Sequence, residues 1–108
     1  MTYDEALAAK IRSRIAGATE RKMFGGLAFL VGGNMAVAAS GQGGLLARVD
    51  PAESDELVAT TRAELMEMGG RTMSGWLRVD PEHLGTDHEL AKWVELGTAY
   101  ARSLPAKQ

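Results

Sequence analysis

The chain has 108 residues, with 45% hydrophobic and 24% charged side chains, which is the ordinary composition of one folded domain. It has no cysteine, so disulfides, thiolate catalysis and cysteine-based zinc sites are excluded. The formal net charge of −2 argues against general binding to phosphate backbones, and we expect no direct nucleic-acid contact. Neither a signal peptide nor a membrane span is predicted, and we expect a cytoplasmic protein with one domain over residues 1–108.

Charge is distributed unevenly along the chain. Basic residues dominate the segment 10–22, which has a single acid, Glu20. These basic residues are Lys10, Arg12, Arg14, Arg21 and Lys22. Acidic residues dominate the segment 50–67, which has a single base, Arg62. Two interpretations stay open: two solvated faces of opposite sign, or complementary contact surfaces for a partner or a second copy of the chain.

The N-terminal segment predicts a helix over residues 3–16. Leu7, Ile11 and Ile15 recur every four residues and form one apolar stripe, which a covering helix would turn toward a sheet. Thr2 is placed to cap its start, and Gly17 supplies the stop signal.

The central segment, Arg21 to Ser40, predicts two apolar strands, at 22–31 and 35–39. Gly32-Gly33-Asn34 supplies the positive φ angles of a tight hairpin between them. The pair Gly25-Gly26 inside the first strand predicts a bulge or a place where another group packs against backbone, and a backbone surface for a ligand is the alternative.

The rest of the chain predicts alternating strands and helices. A glycine-rich turn after Ser40 leads to a strand at 45–49, and Asp50-Pro51 ends it. A helix follows over about 52–68, closed by Gly69-Gly70. A strand at 75–79 and a helix at 87–103 complete the order α-β-β-β-α-β-α. Consecutive short strands with tight turns are antiparallel neighbours, so we predict an α+β two-layer sandwich, with a meander sheet covered by helices on one face.

The uncovered face of this sheet carries the candidate binding residues. Alternation along the strands turns Arg48 to the same side as Leu46, and Arg78 to the same side as Trp76. Two arginines on one face could grip an anion or a partner's carboxylates; the simpler interpretation is that they face solvent or pair with Asp50 and Asp80. We predict Trp76 and Trp93 as buried anchors, and if Trp76 lies on the uncovered face it is the first residue to test at an interface.

Catalytic chemistry has little support in the sequence. His83 and His88, with nearby acids, could suggest a metal site, but their spacing does not place both on one helical face. Ser40 and Ser74 lack the motif that surrounds an activated nucleophile. We therefore predict no catalytic residues, no metal and no cofactor.

An ordered set of short motifs resembles one known family. The motifs are Lys22-Met23-Phe24-Gly25-Gly26, Gly33-Asn34-Met35, Arg48-Val49-Asp50, Met73-Ser74-Gly75-Trp76-Leu77-Arg78-Val79 and Leu90-x-x-Trp93-Val94. In this order they resemble the N-terminal domain of the TfoX/Sxy proteins, over about residues 5–104. The resemblance implies an α+β sandwich and a role outside catalysis, because the two-domain members are regulators of bacterial DNA-uptake competence.

The sequence departs from the two-domain members because it ends at Gln108, and we therefore expect a stand-alone copy of the domain, without the C-terminal helical domain of the regulators. We predict a non-enzymatic interaction or regulatory module, with a protein partner or a second copy bound at the open sheet face. The alternative is a small anion-binding domain or minor enzyme that uses Arg48, Arg78 and the backbone of Gly25-Gly26. Weak partner-binding candidates are thus Arg48, Arg78, Trp76, Gly25 and Gly26.

Overall fold

The computed structural model describes residues 3–15, 17–23, 25–41 and 43–105. The elements of this part, in chain order, are α1 (Glu5–Arg14), β1 (Thr19–Met23), β2 (Gly26–Val31), β3 (Asn34–Ala39), β4 (Leu45–Arg48), α2 (Pro51–Thr60), β5 (Glu64–Met68), β6 (Arg71–Val79), a short 3-10 helix (Pro81–His83) and α3 (Asp87–Ser103). None of the helices in these residues combines the length and the apolar character needed to cross a bilayer.

The strands of the described residues form one six-stranded sheet in the order β1-β2-β3-β4-β6-β5. Every neighbouring pair is antiparallel. Strands β1 and β5 are therefore the two edges of the sheet. The predicted α+β class and the antiparallel sheet are confirmed.

The main core lies between one face of the sheet and the helices. On the sheet side it is built from alternate strand residues, including Phe29, Val37, Leu45 and Leu77, all of which are almost fully buried. On the helix side it contains the following residues of α1 and α3: Leu7, Ala8, Ile11, Leu90, Trp93 and Val94. The predicted covering role of the helices is confirmed, and Trp93 is the buried anchor that the sequence predicted.

Helix α3 lies very close to strand β3. A β-carbon on Gly97 would be only 2.3 Å from the carbonyl oxygen of Ala36, so glycine is required for this contact. At the same end of the sheet, the side-chain amide of buried Asn34 donates a hydrogen bond of 3.0 Å to the carbonyl oxygen of Pro105. These two contacts fix the C-terminal half of α3 against the β2–β3 hairpin.

The prediction of one continuous strand over residues 22–31 is wrong. The chain reverses at Gly25, which has a φ of 74°, and the segment forms the separate strands β1 and β2. Gly26 then packs against backbone, because a β-carbon there would lie 2.0 Å from the carbonyl oxygen of Ala39. The sequence correctly predicted a close backbone contact at this glycine pair; Phe24, between the two strands, lies outside the described residues.

The predicted helix over 52–68 is also wrong in its second half. Helix α2 ends at Thr60, because Thr61 takes extended backbone angles and its hydroxyl donates to the Leu57 carbonyl oxygen. Residues Glu64–Met68 form β5 instead. Gly69 and Gly70, with φ of 62° and 80°, then turn the chain into β6 and do not end a helix.

The remaining boundaries agree with the sequence or differ slightly. Gly32 and Gly33 have φ of 62° and 82°, as the predicted hairpin requires, and α3 covers the predicted 87–103. Helix α1 is shorter than predicted, and Asp4 caps it by accepting hydrogen bonds from two backbone amides. The predicted cap Thr2 lies outside the described residues. Strand β6 begins at Arg71, four residues before the predicted start.

Candidate functional site

The face of the sheet opposite the helices carries a second, smaller apolar cluster. We call it the second face and define it by the buried residues Ala28, Leu30, Met35, Ala38 and Leu46, with Met23, Met66 and Trp76 partly buried against them. Ala28 and Ala38 are small and lie opposite each other on β2 and β3. The larger, flexible methionine side chains and one indole pack beside them. The centre of this face is thus apolar although no helix of the described residues covers it.

Trp76 is less buried than the sequence analysis predicted. It was predicted to be buried, but it lies on the second face and is only partly buried. The alternation of strand β6 explains this, since Leu77 and Val79 point into the main core and Trp76 points the other way. The structure therefore places Trp76 on the uncovered face, with its side chain partly exposed.

Arg48 is positioned by two aromatic rings. It lies directly opposite Trp76 across the β4–β6 pair, and its guanidinium carbon is 5.2 Å from the centroid of that indole. The same carbon is 5.6 Å from the centroid of the Tyr100 ring on α3. Both distances fall within the range of a cation–π interaction. Arg48 thus links the second face to the end of the helical layer.

Arg78 lies on the same face of the sheet as Arg48 and has two acidic residues near it. Its Nε is 3.5 Å from a carboxylate oxygen of Asp80, as one sequence interpretation predicted. Across the sheet it lies opposite Leu46 on one side and Glu64 on the other. The same interpretation offered Asp50 as a partner for an arginine. The side chain of Asp50 instead caps α2 by accepting a hydrogen bond from the backbone amide of Ala52.

The candidate residues do not converge into one site. Gly26 lies at the end of the sheet where β4 begins, because Leu27 pairs with Ala39 and Ala39 pairs with Leu45. Arg48 is the last residue of β4, at the opposite end. The structure brings Arg48, Trp76 and Arg78 together but leaves the Gly25-Gly26 backbone apart from them.

The C-terminal parts of the basic and acidic segments lie at opposite edges of the sheet. Edge strand β1 carries Arg21 and Lys22, both exposed, whereas edge strand β5 carries Glu64 and Glu67, also exposed. Two other members of the basic segment already have acidic partners. Arg14 lies 3.8 Å from Asp87, and Arg12 contacts Glu20, as described next.

Arg12 and Glu20 form a bidentate ion pair between α1 and β1. The Nε and one terminal nitrogen of Arg12 donate to the two carboxylate oxygens of Glu20 at 2.5 and 2.6 Å. Hydrogen bonding by Arg12 lowers the pKa of Glu20, and the same bond raises the pKa of Arg12. Both groups are well exposed to solvent, so this pair positions α1 against the edge of the sheet and does not form a reaction centre.

A cavity that the sequence did not predict lies between the ends of α2 and α3. Its volume is about 580 Å³. Its apolar floor includes Ala63, Val79 and Trp93, and charged groups including Arg62 and Lys92 surround the opening. The lining comes from three separate segments of the chain, so no local sequence pattern marks it.

The 3-10 helix at the mouth of this cavity, together with the residue just before it, offers three possible metal ligands. One ligand atom each from Asp80, Glu82 and His83 lies within 4.8 Å of the others. The imidazole of His83 is 3.6 Å from the Glu82 carboxylate, and Asp80 forms an ion pair with Arg78. His88 lines a different groove, with Leu57 and Leu96, so the two histidines do not act together.

The fold and the second face together define the class of protein to which this chain belongs. It is a small α+β domain whose antiparallel sheet is covered by helices on one side and carries methionine, tryptophan and arginine on the other. A family model described as the TfoX N-terminal domain matches residues 11–101, and the chain therefore belongs to this family. The resemblance found in the sequence is confirmed. No curated protein and no solved structure matches the chain.

Proposed function

We propose that this protein is an interaction module without catalytic activity, whose contact surface is the second face of its sheet. Membership of the TfoX N-terminal domain family is consistent with this role. The proposal includes a regulatory action that works through protein contact. The observation that carries it is the composition of the second face.

The exposed part of the second face has the composition of an interface centre. Aromatic residues, methionine and arginine are enriched in protein interfaces relative to the rest of a protein surface. Here Met23, Met66 and Trp76 are partly exposed around a buried floor of small residues, with Arg48 beside Trp76. A partner that covers this face removes apolar surface from water, which is the main favourable contribution to association.

Arg48 lies against two aromatic rings of its own chain. Its interactions with the rings of Trp76 and Tyr100 restrict its side chain before a partner arrives. Less conformational entropy is then lost on binding, and binding is stronger as a result. Arg48 and Trp76 are therefore the pair that we expect to contribute most to the affinity of the second face.

A photo-crosslinking amino acid at position 76 tests this proposal directly. Benzoylphenylalanine in place of Trp76 should crosslink the protein to a defined partner or to a second copy in cells, whereas the same group in place of Glu56, an exposed residue of α2, should not. Light scattering on the purified protein then separates the two cases, since a homodimer through this face should be lost in Trp76→Ala. Equal crosslinking from both positions, with a strictly monomeric protein, would contradict the proposal.

A further inference from the structure

We propose that the two edge strands bind each other in neighbouring copies of this chain, so that β5 of one copy pairs with β1 of the next and the sheet continues head to tail. This contact uses the edges of the sheet, including Met23 and Met66 at the rim of the second face, and does not involve Trp76. The partner is a second copy of this chain. The argument depends on the direction, the exposure and the charge of the two edges.

Both edges present open backbone. Residues Thr19 to Lys22 of β1 are exposed, and so are Glu64 and Glu67 of β5. Each strand has five residues, neither contains proline, and among the described residues each pairs with a single neighbouring strand. Unpaired amide and carbonyl groups along such an edge can accept a further strand.

The topology sets the direction of this contact. Since the sheet has six strands and every neighbouring pair is antiparallel, β1 and β5 run in opposite directions. A second copy placed beside the first in the same orientation therefore brings its β1 antiparallel to β5. The helices of both copies then stay on the same face of the continued sheet.

The charges of the edges favour this pairing over the two alternatives. Strand β1 presents Arg21 and Lys22, and its one acid, Glu20, is already bound by Arg12. Strand β5 presents Glu64 and Glu67. A β1–β1 contact brings cations together and a β5–β5 contact brings carboxylates together, and like charges directly opposite each other destabilise a strand pair. A β1–β5 contact opposes unlike charges.

One register of the β1–β5 contact brings compatible side chains together on both faces of the sheet. Lys22 pairs with Leu27, and so lies on the helix-covered side, while Met23 packs on the second face. On β5, Met66 packs on the second face and the next residue, Glu67, points to the other side. An antiparallel register with Met23 opposite Met66 places Lys22 opposite Glu67. It pairs residues 21–23 with 66–68, so Glu64 lies beyond the end of β1 and contributes only to the overall charge of the edge. It joins the apolar clusters of the two copies and forms an ion pair across the new contact.

The contact is heterologous, because two different surfaces meet. Such contacts form rings where the rotation between copies closes and open chains where it does not. An open chain of copies keeps one free β1 edge at one end and one free β5 edge at the other.

Two charge-reversed variants test the proposal by sedimentation. The β1 variant is Arg21→Glu/Lys22→Glu, and the β5 variant is Glu64→Lys/Glu67→Lys. The wild type should show a mass that increases with concentration at about 0.01 M salt, where charges act over ~30 Å, and less at about 1 M salt, where this range is ~3 Å. Each variant should be monomeric alone, because its two edges now have charges of the same sign. An equimolar mixture should associate again, because the unchanged β5 of one variant meets the unchanged β1 of the other and the two reversed edges are also of opposite charge.

The matched control is Asp55→Lys/Glu56→Lys, which changes the charge of the exposed side of α2 by the same amount as the β5 variant changes the edge. It should associate as the wild type does. Amide hydrogen exchange locates the contact, because the mixture should protect the outward amides of β5 in the β1 variant and those of β1 in the β5 variant. Thermal unfolding followed by circular dichroism verifies that each variant is folded.

A wild type that is monomeric at low salt and near-millimolar concentration would overturn the proposal, as would a mixture of the two variants without a complex. Self-association that persists in both edge variants and disappears in Trp76→Ala would place the contact on the second face. That result would overturn the edge contact and support the proposed function.

Discussion

Arg48 and Trp76 lie directly opposite each other on β4 and β6, with the guanidinium carbon 5.2 Å from the centroid of the indole. Arg48 also lies near Tyr100, so one side chain connects the second face of the sheet to the C-terminal half of α3. The contact is partly exposed, and its contribution to stability is correspondingly modest.

Arg48→Met should lower the free energy of unfolding by about 0.5–1 kcal/mol, since it keeps most of the side-chain volume but removes the cation. Urea unfolding measures this difference. Lys92→Met is the control for a cation near the other tryptophan, because Lys92 is exposed and 5.6 Å from the ring of Trp93. A larger loss in Lys92→Met than in Arg48→Met would contradict the role assigned to Arg48.

Asp50→Ala should destabilise the protein by about 1 kcal/mol, because the Asp50 side chain caps α2 through the amide of Ala52. The sequence repeats Arg-Val-Asp-Pro at Asp80, where the side chain makes no capping bond to the 3-10 helix. Asp80→Ala loses a partly exposed ion pair with Arg78 and should cost less. Thermal unfolding of the two variants gives the comparison, and equal losses would count against the capping role.

Gly97→Ala should destabilise the protein by roughly 1–3 kcal/mol, because the added methyl group would meet the Ala36 carbonyl oxygen and force α3 away from β3. Gly85→Ala is the matched control. No atom lies within 4 Å of the position that its β-carbon would occupy, so its melting temperature should remain close to that of the wild type. A fully stable Gly97→Ala protein would show that helix and sheet are not this close.

Glu20→Gln should lower stability slightly at neutral pH, and this deficit should disappear in acid. The folded-state pKa of Glu20 lies below its ordinary value of 4.5, because Arg12 donates hydrogen bonds to its charged form. Its contribution is therefore fully present above the unfolded-state pKa and is lost as the pH falls through the folded-state pKa. Urea unfolding of both proteins between pH 7 and strongly acidic pH measures the difference; a deficit that grows in acid would have the wrong sign.

The sequence predicted the structure best where its local pattern was compatible with only one type of secondary structure. The helix at 87–103 has an apolar stripe and a clear cap, and the Gly32-Gly33 hairpin requires two positive φ angles, so both were predicted correctly. Segment 64–68 was ambiguous, because Leu65 and Met68 continue the helical spacing of α2 while Glu64, Met66 and Met68 also alternate as in a strand. Gly69-Gly70 suits either a helix end or a hairpin turn. Pairing with β6, a tertiary contact, decides this segment in favour of the strand.

The candidate site was predictable only in part. Alternation along β4 and β6 correctly brought Arg48 and Trp76 to one face, since strand periodicity depends on local sequence alone. The exposure of Trp76 depends on which face of the sheet the helices cover, and this cannot be deduced from the alternation of residues along one strand. The contact between Arg48 and Tyr100 and the cavity beside the 3-10 helix join residues from distant segments, so only the folded chain reveals them.

The hydrogen bond from Asn34 to the carbonyl oxygen of Pro105 has a practical consequence for labelling. It holds Pro105 beside the β2–β3 turn, at the end of the sheet opposite the 3-10 helix. A fluorophore or an affinity handle attached after Pro105 therefore begins its path beside that turn. Reporters fused there leave the opening next to His83 unobstructed for titration with small molecules.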